Sequence, residues 1–136
     1  MKPNEAHPIL SCADTPAVED DLFDGDGEKA WDAMQRAGLA VAEGVARDFR
    51  ELGRFPRDAR ILVLVGKGHN GGDALIATSA ILSRFSQSTA EVVFVTGTNE
   101  LKPLALRAWQ NLQNEAGPRV KPISVGAIAG NYAVSI

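Results

Sequence analysis

The sequence predicts an α/β fold with a mainly parallel sheet, and three observations carry that expectation. Two short strand-like segments, Ile61-Leu62-Val63-Leu64-Val65 and Glu91-Val92-Val93-Phe94-Val95, apolar but for Glu91, alternate with longer stretches of helical periodicity. The order along the chain is helix, strand, helix, strand, helix, strand; strands alternating with helices pair in parallel through right-handed crossovers. A glycine-rich turn, Gly66-Lys67-Gly68-His69-Asn70-Gly71-Gly72-Asp73, follows the first strand. Open α/β sheets hold their ligands there, beyond the carboxyl ends of the strands.

Each element has its own local reason. Residues 1–27 are polar and acidic, with Asp20, Asp21, Asp24 and Asp26 among them. A short helix over 15–23 is expected, with Thr15 as its cap and Pro16 in its first turn. The Asp24–Glu28 run lacks the twelve-residue spacing of a calcium-binding EF-hand loop and reads as a solvated helix end. Residues 28–52 form the clearest helix: Trp31, Met34, Gly38, Val41, Val45, Phe49 and Leu52 recur at steps of three and four. Asp26 is its candidate cap, and Gly53 ends it. The run 61–65 reads as a central strand buried on both faces. A helix over 74–85 follows, with Asp73 placed to cap it, and then a strand over 91–95. Asn99 is placed to cap a third helix over 100–116, which tolerates Pro103 in its first turn and stops at Gly117-Pro118. Residues 120–125 make a weaker third strand, and Pro122 suits an edge position. Residues 126–136 are small and apolar without periodicity, so a three-stranded sheet is expected.

Composition bounds the function. The 136 residues are 45% hydrophobic and 23% charged, as in a single globular domain. The formal net charge of −3 argues against a general nucleic-acid binder, which needs a cationic face. No apolar run approaches the roughly 20 residues that span a bilayer, and no signal peptide opens the chain. A cytoplasmic domain without membrane or nucleic-acid partners is expected. The one cysteine, Cys12, excludes an internal disulfide, and two histidines, His7 and His69, make a zinc site a poor fit.

The chemistry lies in the glycine turn. Its glycines let backbone approach a ligand closely, and its amides open a helix, which together make a phosphate or pyrophosphate cradle. Lys67 adds a cation. Gly66, Gly68 and Gly71 satisfy G-x-G-x-x-G, but the second strand ends in Phe94-Val95-Thr96-Gly97 without the acid that a plain dehydrogenase places on the ribose. A P-loop is excluded, because Gly71-Gly72-Asp73 stands where Gly-Lys-Ser/Thr is required. Asn70 and Asp73 admit two compatible readings, turn former and helix cap on one side, ligand contact on the other.

The stretch from Val63 to Leu75 resembles the signature of the YjeF N-terminal domain family, the NAD(P)HX epimerases, whose usual form is a strand followed by G-x-G-N-N-G-G-D-G. The segment Met34-Gln35-Arg36-Ala37-Gly38 is similar to that family's first-helix pattern, M-x-x-A-G, at the same distance ahead of the loop. The resemblance implies a Rossmann-like three-layer α/β/α fold, commonly dimeric. It implies interconversion of the R and S epimers of hydrated NADH and NADPH (NADHX and NADPHX), in concert with a fused or separate dehydratase. By the same resemblance, Gly68, His69, Asn70, Gly71, Gly72 and Asp73 line the substrate site, and Asn70 is a potassium ligand. His69 stands where the family has its first Asn, and Ala74 where it has its last Gly. The family's later D-A-x-x-G-T-G and D-x-P-S-G motifs, the second carrying its catalytic Asp, have no counterpart, and no Asp follows Asp73. Residues 1–136 therefore read as one truncated domain of this kind, incomplete at its C-terminal end and with its catalytic residue unknown. A catalytically inert nucleotide-binding or protein-interaction scaffold is the competing reading.

Overall fold

The computed structural model describes residues 25–136, together with Ala13 and residues 16–18. The chain divides into two compact units, Met1–Trp31 and Asp32–Ile136. Within the first, residues 16–18 are helical, in keeping with the short helix expected there; the rest of that helix, the Asp20–Asp24 cluster, His7 and Cys12 lie outside the described residues. Helix α1 (Gly27–Glu51) begins here. Asp26 caps it as expected, its Oδ1 accepting the backbone N–H of Glu28 at 2.9 Å and of Lys29 at 3.4 Å.

The second unit continues α1 and adds β1 (Arg60–Val65), α2 (His69–Arg84), β2 (Thr89–Phe94), α3 (Pro103–Ala116), β3 (Val120–Pro122) and β4 (Val134–Ser135). The sheet order is β3-β2-β1-β4, with every neighbouring pair parallel. Chain direction across the sheet therefore reverses at β1, which is the arrangement of a doubly wound α/β fold. The crossovers β1–α2–β2 and β2–α3–β3 step the same way, so right-handedness puts α2 and α3 on one face. Phe94 confirms that face, its ring edge-on to Trp109 of α3 at 4.9 Å between centroids. By register, Ile61, Val63, Val65, Ala90 and Val92 share it. These residues meet Leu75, Ile81 and Leu112 in the core, all essentially inaccessible to solvent. Each such large aliphatic side chain contributes about 1.5–3 kcal/mol of burial.

The opposite face of the sheet carries Arg60, Leu62, Leu64, Glu91 and Val93. The connection from β3 to β4 is fastened here. The Arg60 guanidinium lies 4.5 Å from the Tyr132 ring centroid, donates to the carbonyls of Ala129 (3.1 Å) and Asn131 (3.4 Å), and pairs with Glu91 at 2.9 Å. The Tyr132 hydroxyl donates to the same Glu91 carboxylate. That hydrogen bond, followed by the charge of Arg60, holds the Glu91 carboxyl below its ordinary range against an opposing effect of burial. The same bond raises the Tyr132 phenol.

Several expectations are corrected. Helix α2 starts at His69, five residues before the expected start at Ala74. Asp73 does not cap it: the cap position is Gly68, without a side-chain hydrogen bond. Asn99 does not cap α3 either; residues Thr98–Glu100 form a separate 3-10 turn, and α3 begins at Pro103, a residue preorganised for the first helical turn. On α1 the inward stripe runs through Ala42 and Ala46 rather than Val41 and Leu52, and Leu52 is 83% exposed beyond the helix end. Strand β1 is buried on both faces only in part: on the second face Leu62 is buried, but Leu64 is 48% exposed. The sheet has a fourth strand, paired as Ile61↔Val134 and Leu62↔Ser135 and prolonged by Ile136 N–H to the Leu62 carbonyl at 2.9 Å. Pro122 sits on an edge strand, as expected.

Candidate functional site

The backbone leaves β1 at Val65 and enters α2 at His69, so the connection is only Gly66, Lys67 and Gly68. It lies at the carboxyl end of the strand where the sheet reverses direction, with β2 on one side and β4 on the other. Crevices at such a reversal are the usual ligand sites of open α/β sheets. The Asn70-Gly71-Gly72-Asp73 segment is thus the first turn of a sixteen-residue helix rather than part of a preceding loop. Its backbone N–H groups stand at the positive end of the helix dipole, a favourable place for an anion.

The four glycines divide into two pairs. A Cβ at Gly66 or Gly68 would meet nothing within 4 Å, so both present bare backbone to open space. A Cβ at Gly71 would lie 2.5 Å from the Gly66 carbonyl oxygen and 2.9 Å from Val65 Cγ1. One at Gly72 would strike the Met34 thioether and approach Ala105 Cα at 3.4 Å. Gly66 and Gly68 therefore leave room for a ligand, whereas Gly71 and Gly72 let the helix sit close against β1, α1 and α3. Of the expected site residues, the structure brings His69 and Asn70 to the exposed rim beside Lys67, leaves Asp73 half-buried and buries Gly71 and Gly72. The sequence motif treats the six residues from Gly68 to Asp73 alike; the division follows from which elements touch the turn, which a local motif does not encode.

An Asn side-chain oxygen at Asn70 is a hard, neutral donor of the type a potassium ion takes. Among the described residues no group of three or more His, Cys, Asp or Glu side chains forms a metal-binding cluster, so a multi-carboxylate divalent site is not built here. A groove of about 270 Å³ lies elsewhere, between α1 and the far end of α2, lined by Leu39, Ala42, Ile81 and Phe85 among others. It is mostly apolar, and its one cation, Arg84, faces Glu43 at 3.4 Å, which makes it a poor phosphate site. No helix among the described residues is long and apolar enough to cross a membrane.

Comparison with known proteins bears on the family and the fold. The NAD(P)H-hydrate epimerase of Bordetella pertussis is 42% identical over 78 residues, 57% of this chain and 31% of that protein; that of Bordetella bronchiseptica matches to the same extent. A bifunctional NAD(P)H-hydrate repair enzyme of Gloeobacter violaceus is 51% identical over 43 residues, 32% of this chain and 8% of its own length. The matches thus span less than a third of these relatives. The crystal structure of yeast YNL200c superposes with a TM-score of 0.62 at 20% identity, over 87% of this chain and 47% of that one, and supports the fold. The model of the YjeF-related protein N-terminus matches residues 31–131, a span holding α1 almost whole, the glycine turn and three strands, and the chain belongs to that family.

Proposed function

We propose that the chain is a domain that binds hydrated NADH and NADPH and acts in the interconversion of their R and S epimers. The observation that supports this best is the three-residue connection at the reversal of the sheet, with two open-sided glycines leading into a helix N-terminus. That arrangement suits a nucleotide pyrophosphate, and the family and its curated members, named for NAD(P)H-hydrate epimerisation, supply the substrate class. In this reading the phosphates lie against Gly68 and the first-turn amides, with Lys67 as counter-charge. His69, Asn70 and Asp73 face the remainder of the substrate, and Gly71 and Gly72 hold the turn in place. Asn70 contributes an oxygen to a potassium ion, whose charge would help fix the bound nucleotide. Residues 1–136 act together as one domain of this kind, assembled as a homodimer and serving a dehydratase. Two relatives named as bifunctional repair enzymes motivate that partner.

A coupled assay tests this reading: purified chain, R-hydrated NADPH, an S-specific dehydratase, and potassium or sodium chloride. Potassium-dependent formation of NADPH is the expected result. A second reading, an inert nucleotide-binding scaffold, is favoured by the poverty of carboxylates at the turn, where Asp73 stands alone in sequence. Tight binding without turnover would select the scaffold. Neither binding nor turnover by the folded chain would defeat both.

A further inference from the structure

We infer that Met34 and Gly38 of α1 are positioning residues for the ligand-binding turn; this rests on the proposed nucleotide site. No side chain caps α2 at Gly68, so no hydrogen bond from a cap residue fixes the turn. Packing braces it on three sides. Gly71 presses on the Gly66 carbonyl and Val65 of β1, and Gly72 lies between the Met34 thioether and Ala105 of α3. Gly38 closes the remaining side. A Cβ there would lie 2.8 Å from the Asp73 carbonyl oxygen and 2.6 Å from Ile76 Cβ. The first of these is backbone and cannot swing away, so α1 and the first turn of α2 are in direct register.

Met34 and Gly38 are both buried and four residues apart, hence on one face of α1. Further along the same helix, Ala42 borders the groove with Ile81 and Phe85, and Phe49 stacks edge-on with Phe55. The two ends of α1 thus have separate tasks: the Phe49 end packs on Phe55, whose ring stacks on Phe85 just past the end of α2, and the Met34–Gly38 end sets the amides that receive the ligand. Shifting that end by even a fraction of an ångström moves the amides relative to Gly66 and Gly68.

The test compares Gly38→Ala with Phe49→Leu in the full chain. Calorimetric titration with NADPH hydrate in potassium chloride, thermal unfolding, and amide proton–nitrogen spectra are recorded for each. Gly38→Ala is expected to weaken binding at least tenfold and to move the amide resonances of Gly71, Gly72 and Asp73. Phe49→Leu is expected to lower the unfolding midpoint as much or more while keeping affinity within twofold of the parent. Should Gly38→Ala not fold, Met34→Ala takes its place. It should bind weakly, and adding Gly72→Ala, whose methyl enters the space vacated by the thioether, should restore part of the affinity. Parent-like binding by Gly38→Ala or Met34→Ala overturns the inference, as does an affinity loss in Phe49→Leu proportional to its loss of stability. If the parent itself does not bind NADPH hydrate, the proposed function fails. The spectra then decide the positioning claim: shifts concentrated at Gly71–Asp73 uphold it and an unchanged turn overturns it.

Discussion

At the scale of single residues, the glycine turn divides into closely packed positions and positions that face open space. A methyl group at Gly71 has nowhere to go, because its neighbours are backbone and a β-branched side chain of β1. Gly71→Ala should therefore destabilise by about 1–3 kcal/mol, the usual cost of overpacking, as read by urea unfolding. Gly66→Ala faces open space at a backbone angle that other residues adopt, and should change stability by no more than about 1 kcal/mol. The Glu91–Tyr132 pair makes a second prediction. Glu91 titrates below its ordinary value of 4.5 when folded, so its contribution is present above that value and is lost as pH falls through the lowered one. Tyr132 titrates above its ordinary 10.0, so its contribution is present below that value and is lost as pH rises through the raised one. A profile of unfolding temperature against pH should decline at both ends. Tyr132→Phe should remove the alkaline decline and soften the acid one; an unaltered profile would show that the bond adds nothing to stability.

At the scale of elements, α2 is held differently at its two ends. Packing holds the start, while the end is closed by Arg119, whose Nη1 donates to the carbonyls of Leu82 (3.0 Å), Ser86 (3.2 Å) and Ser88 (3.2 Å). These oxygens lie at and just beyond the last turn, where carbonyls lack helical partners. Arg119→Ala should cost about 2 kcal/mol, within the range for hydrogen bonds to a charged group. Arg119→Lys, which keeps the charge on a shorter side chain, should recover part of that. The two ends also explain what was legible beforehand. The periodicity of α1 and α3 and the apolar runs of β1 and β2 are local signals, and those elements were anticipated to within a few residues. The start of α2 was misplaced because Asp73 looks like a cap in sequence. Two consecutive glycines look like a turn, yet close packing rather than conformational freedom accounts for both. Strand β4 was invisible: Val134 and Ser135 carry no pattern and become a strand only by pairing with β1.

At the scale of the whole molecule, the strand order β3-β2-β1-β4 does the positioning. It places the turn after β1 where the sheet reverses, with α1 bracing it from outside and α3 touching Gly72. Sequence spacing alone pointed to the candidate turn, since the motif from Gly66 to Asp73 and the Met34–Gly38 pair are both readable in one dimension. The different work of the two glycine pairs was not readable, because it depends on α1 and α3, whose contacts with the turn come from far along the chain. The fold also leaves Leu64 half-exposed, on the sheet face opposite α2 and α3. Its burial contributes less than that of Val63 or Val65, and Leu64→Thr should cost under about 1 kcal/mol, whereas Val63→Ala should cost about 1–3 kcal/mol by urea unfolding.

The measurement that bears most directly on the central claim is calorimetric titration of the chain with NADPH hydrate in potassium chloride, set beside the Gly68→Ala and Phe49→Leu variants. Saturable binding by the parent and by Phe49→Leu, with at least a tenfold loss in a Gly68→Ala protein that still unfolds cooperatively near the parental midpoint, is the expected result. Equal binding by the parent and Gly68→Ala, or none by the folded parent, would contradict the claim that this turn holds the nucleotide.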